Sequence, residues 1–110
     1  MKLNIYNGKK IVKTYEADTY DLMFGTLEDV ANAIKLDEMK SGTDEEILRM
    51  AFNLIASSLG TVRELLKDIF DGITEEEMRM VKVKEIAQVL FDVVRYTIEQ
   101  LGKGISTRKN

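Results

Sequence analysis

Apolar and polar positions alternate through Lys2-Leu3-Asn4-Ile5-Tyr6, meet Asn7-Gly8, and resume as Lys9-Lys10-Ile11-Val12-Lys13-Thr14-Tyr15. Period-two alternation on either side of Asn-Gly predicts a β-hairpin over residues 1–16, with the positive φ angles of a type I′ turn at its tip. Two registers compete. A two-residue loop pairs Leu3 with Val12 and Ile5 with Lys10, whereas a three-residue loop with a bulge pairs Ile5 with Ile11. Two strands alone are marginal in water, so the hairpin must lie on helices or pair with a second copy.

Beyond residue 26 the period changes to that of a helix. Four Thr residues each precede an acid by three positions, at Thr26-Leu27-Glu28-Asp29, Thr43-Asp44-Glu45-Glu46, Thr61-Val62-Arg63-Glu64 and Thr74-Glu75-Glu76-Glu77. In such a capping box the hydroxyl accepts from an orphan backbone N–H and the acid reaches back, so each marks a helix start. Between Thr43 and Phe70 the signals conflict. Gly60 and the Thr61 box suggest a stop and a restart, yet Ile47, Leu48, Ala51, Phe52, Ile55 and Leu59 share an arc with Val62, Leu65, Leu66, Ile69 and Phe70. Phase that survives the glycine favours one long central helix, kinked at Gly60.

From Val83 to Leu101, polar residues fall in one arc of roughly 100° and apolar residues cover roughly 220°. That is wider than one packed neighbour needs. The helix is therefore central in the domain or lends one flank to a second chain. Val89, Val93 and Tyr96, at one edge of the apolar arc, are the expected partner-binding residues. The expected fold is mainly α: an N-terminal β-hairpin, then a small helical bundle with one long central helix and a long C-terminal amphipathic helix. It forms a single domain over residues 1–101, with hairpin at 1–16, helices at 26–101 and a disordered tail at 102–110.

Composition narrows the chemistry. In 110 residues there is no Cys, His or Pro, which removes zinc and copper sites, the usual haem ligands, disulfides, and every triad or dyad built on His or Cys. Only oxygen-ligand metals remain, and the calcium-loop reading of Asp71-Gly72 fails on spacing. With Gly72 as the invariant glycine, the first, third and twelfth ligand positions become Lys67, Ile69 and Met78. Neither metal nor cofactor is expected. Ser57-Ser58 has no His for a base, and the adjacent acids Glu28-Asp29 and Asp37-Glu38 read as solvated faces, so no catalytic residue is assigned. Met39, Met50, Met78 and Met80 read as core filling before they read as an adaptable groove.

Charge is unevenly placed. Four lysines precede Glu16 without an acid and three cations follow Leu101 without one; with a formal net charge of −3, the stretch between carries −10. A pI near 5.0 opposes nucleic-acid binding, which is driven by neutralising phosphates. The N-terminus holds no continuous apolar stretch of the kind that translocons or bilayers require, so neither a leader nor a membrane partner is expected.

One longer pattern carries a family likeness. Phe70-Asp71-Gly72-Ile73-Thr74-Glu75-Glu76-Glu77-Met78, then Val81-Lys82-Val83-Lys84-Glu85-Ile86 and an apolar helix ending Tyr96-Thr97-Ile98-Glu99-Gln100-Leu101, resembles the tail assembly chaperones of long-tailed bacteriophages, especially those of Gram-positive hosts. The hairpin followed by Met23-Phe24-Gly25-Thr26-Leu27-Glu28-Asp29 resembles the same family's opening. The resemblance implies a non-catalytic, helical protein of the host cytoplasm, absent from the mature virion. Its expected partners are the tape-measure protein, which it keeps soluble, the tail-tube protein, whose polymerisation it assists, and further copies of itself. It also implies a longer frameshifted product, which the codons at Gly102-Lys103 would reveal. A different class of reading is a regulatory adaptor binding a protein or nucleic acid through Lys9, Lys10 and Lys13 of the hairpin.

Overall fold

The computed structural model describes residues 1–39 and 41–102; the expected tail beyond Gly102 lies outside the described residues. Strands β1 (Lys2–Asn7) and β2 (Lys10–Glu16) form an antiparallel hairpin, followed by helices α1 (Phe24–Ile34), α2 (Asp44–Ser57), α3 (Leu59–Ile69), α4 (Glu75–Met78) and α5 (Val83–Leu101). Single turns of 3₁₀ helix at Thr19–Asp21 and Leu36–Glu38 flank α1. The helix-dominated fold with an N-terminal hairpin is as the sequence patterns imply.

The register is neither of the two expected. Asn7 pairs with Lys10 and Tyr6 with Ile11, but Ile5 pairs with Lys13 and Leu3 with Tyr15, because a bulge inserts Val12. The tip is Gly8-Lys9. Gly8 has φ +67° and Lys9 is not in the positive-φ region, so the turn is not type I′; positive φ at the first central residue alone is the type II′ pattern. The bulge corrects the phase of β2, so that Leu3 and Ile5 of β1 are fully buried while β2 stays on the surface.

Two of the four capping boxes start helices. Thr74 makes a complete box with Glu77 on α4, and Thr43 accepts from the Glu46 amide on α2. Glu46 does not reach back to Thr43; its carboxylate instead accepts from the amides of Ser41 and Gly42. Thr26 and Thr61 lie inside their helices, because α1 begins two residues earlier on Met23 and α3 on Ser58. The 5% exposed Thr26 shows why the first reading fails: apolar burial, not a cap, sets that helix start.

The long central helix is two helices. The break is at Ser58, with φ −141° and ψ 53°, and not at Gly60. Ser58 closes α2 through its amide to the Leu54 carbonyl and opens α3 by accepting from Val62. The Ser57 hydroxyl donates to the Asn53 carbonyl at 2.6 Å, a back-bond that bends helices, and two serines in succession have little helix propensity to resist it.

Helix α5 is the centre of the domain. It packs against β1, α1, α2 and the first 3₁₀ turn, and Val89, Leu90, Val93, Val94 and Thr97 are at most 1% exposed. Thr97 is tolerated there because its hydroxyl donates to the Val93 carbonyl at 2.7 Å. Among the described residues no buried side-chain nitrogen or oxygen lacks a partner.

Candidate functional site

Of the three expected partner-binding residues, the fold withdraws two. Val89 and Val93 are core residues, because the wide apolar arc of α5 is covered on several sides within one chain. Tyr96 is half-buried, with its ring edge-on to Tyr20 at 6.0 Å and 85°. The two rings line an open concavity of about 860 Å³ with Asp18, Asp92, Arg95 and Glu99. Arg95 is spent there on ion pairs, 2.9 Å to Asp44 and 3.7 Å to Glu99.

Exposed apolar surface appears elsewhere. On α2, Ile47, Ala51 and Leu54 face the core, while Leu48 and Phe52 are 44% and 48% exposed; Leu59, at the start of α3, is 58% exposed. Leu48 and Phe52 are one helical turn apart and therefore adjacent on the surface. Ile55, one turn further on, is half-buried. A second group, Tyr20, Met23 and Phe24, surrounds the start of α1. Sequence reasoning placed the partner surface on α5 and missed α2. The same signal, an apolar arc broader than one neighbour can cover, was present in Ile47-Leu48 and Ala51-Phe52.

The hairpin is held by two carboxylates. Glu85 of α5 accepts from the Asn4 amide at 3.0 Å and from the Tyr6 hydroxyl. Partial desolvation pushes its carboxyl up, but the hydrogen bonds from Tyr6 and Asn4 prevail and hold it below the ordinary range. Glu77 of α4 accepts from the Tyr15 hydroxyl at 2.6 Å and the Thr74 amide at 3.0 Å, and lies 3.3 Å from the Lys13 ammonium. These bonds, Tyr15 first, lower it to about 2. Glu75 is lowered by Lys67, 2.6 Å away. All three shifts favour the charged form and come from contacts that fasten one element to another, the opposite of a carboxyl raised for proton transfer.

Of the hairpin lysines, Lys13 is committed to Glu77 and lies 4.6 Å above the Tyr15 ring. Lys9 and Lys10 are exposed at the tip and have no ion-pair partner among the described residues. Among those residues no group of His, Cys, Asp and Glu is arranged to hold a metal ion. No helix is long and apolar enough to cross a membrane. The chain matches no family model, and no curated protein and no solved structure matches it either.

Proposed function

We propose that the protein is a non-catalytic assembly chaperone of the kind its sequence resembles, binding a phage tape-measure protein in the host cytoplasm, keeping it soluble and assisting tail-tube polymerisation around it. The observation that carries the reading is the exposed apolar strip of Leu48, Phe52 and Leu59 along α2 and the start of α3. Side chains of this kind at helical spacing suit a long, amphipathic helical client, which docks by placing its own apolar face against them. Apolar burial tolerates salt, since screening acts on charges and not on water-excluded surface.

The test is co-expression with the large helix-rich protein expected to be encoded just downstream. The expected result is that this protein becomes soluble, co-purifies, and stays bound at high ionic strength. A client that remains insoluble or ignores the chain overturns the reading. The adaptor alternative is favoured by one observation, the unpaired Lys9 and Lys10 at the hairpin tip. It predicts binding that collapses as salt rises and is lost in Lys9→Glu.

A further inference from the structure

The two edges of the hairpin are treated differently. On β1, the outward amides of Asn4 and Tyr6 donate to the Glu85 carboxylate and, at 2.9 Å, to the Met80 carbonyl. That edge is closed to another strand. Because those amides point away from β2, the residues opposite Asn4 and Lys2, which are Thr14 and Glu16, point their own backbone groups away from β1. Among the described residues no hydrogen bond is made to the outward backbone of β2. Lys13, which would ordinarily guard such an edge, is drawn to Glu77 beneath the hairpin. Ile11 and Val12, at the turn end of the same strand, are 49% and 56% exposed.

We propose that the open edge of β2 pairs with β2 of a second copy, antiparallel about a two-fold axis at Thr14, to form a four-stranded sheet across a dimer. Charge selects both the partner and the direction. One end of the strand carries Lys9 and Lys10, the other Glu16 and Asp18. An antiparallel copy sets basic end beside acidic end twice, whereas a parallel copy sets like beside like. The Thr14 axis also keeps the two Lys13 residues from standing opposite each other; it places Thr14 against Thr14, Val12 against Glu16, and the Lys10 end toward Asp18. Opposite charges and Thr–Thr pairs stabilise neighbouring strands, and like charges directly opposed destabilise them. A four-stranded sheet is also a more stable unit than an isolated pair.

Sedimentation equilibrium of the purified chain, without any client, tests this separately from the chaperone reading. The expected result is a reversible dimer. Lys10→Glu and Glu16→Lys should each weaken it roughly tenfold through two symmetry-related contacts, and the double variant should restore it. Thr14→Pro, which removes an outward amide without removing a bond to β1, should leave a folded monomer. Because Thr14→Pro could also disturb the hairpin, the charge reversals carry the decision on their own. A chain that stays monomeric to millimolar concentration overturns the proposal. So does a dimer whose dissociation constant is unmoved by either charge reversal.

Discussion

Helices α5 and α2 present the same signal in sequence and opposite fates in structure. Both have apolar arcs broader than one neighbour covers. On α5 the excess is absorbed inside the molecule: β1 lies on one flank and α1 and α2 on the others, so Val89 and Val93 are buried completely. On α2 it is not absorbed, and Leu48 and Phe52 remain about half exposed. What separates them is position. The hairpin, from the opposite end of the chain, packs on α5 and supplies the neighbour that α2 lacks. An apolar arc therefore states how much surface a helix must cover, while the packing of distant segments decides who covers it.

The largest expected effect breaks the comparison on the α5 side. Val93→Asp would place a carboxylate at a position with no exposure and no partner. Losses above about 4 kcal/mol are expected for an unpaired buried charge, a large part of the stability of a domain this size. Circular dichroism should show loss of the cooperative thermal transition. A folded Val93→Asp variant with impaired association would return Val93 to a partner surface.

A smaller effect tests how the hairpin is fastened to the helices that make this difference. Glu77 and Glu85 both titrate below their ordinary values in the folded protein, Glu77 at about 2. A depressed carboxyl contributes stability that is complete above its unfolded value, near 4.5, and is lost as pH falls toward the folded one. The melting temperature should therefore drop progressively from about pH 4.5 to about pH 2. Glu77→Gln should be less stable at pH 7 and should flatten that descent, because one of the two groups no longer titrates. An unchanged pH profile in Glu77→Gln would mean that its bonds to Tyr15 and Lys13 contribute nothing.

Much of this was legible in the chain, and the failures share a cause. The hairpin, the Thr43 and Thr74 helix starts and the long last helix are local signals, carried by residues within a few positions of one another. The register was missed because the bulge at Val12 is imposed by Tyr15 and Lys13 meeting Glu77, more than sixty residues away. The misassigned caps at Thr26 and Thr61 look in sequence like the real ones; only burial distinguishes them. The partner surface went to α5 for the same reason, since nothing local to Val89 or Val93 announces that β1 returns to cover the domain's central helix.

The break between α2 and α3 sharpens the comparison further, since it turns the two apolar halves of the long arc independently. Gly60 lies within the first turn of α3, away from the positive-φ region, and a Cβ there meets nothing within 4 Å. Gly60→Ala should raise stability by about 0.5 kcal/mol, the ordinary gain of alanine over glycine in a helix. A helix end at Gly60 held by a left-handed glycine would give the reverse sign. Thermal melts separate the two, since each kilocalorie moves the transition of a domain this size by several degrees.

The smallest effect on stability bears most directly on function. Phe52 is 48% exposed, and its replacement by Gln costs the fold only the contacts on its inner side. Such a surface change is expected within about 0.5 kcal/mol, and the melting curve should scarcely move. Solubilisation of the tape-measure client should nevertheless fail, more completely in Leu48→Gln with Phe52→Gln, because a helix docking there loses two adjacent apolar contacts and must desolvate amides instead. A stable double variant that still keeps the client in solution would show that α2 is exposed without being used, and would direct the search to Tyr20, Met23 and Phe24. Loss of client with the melt unchanged would establish that the uncovered half of the α2 arc is kept for a partner, as the covered half of α5 is kept for the hairpin.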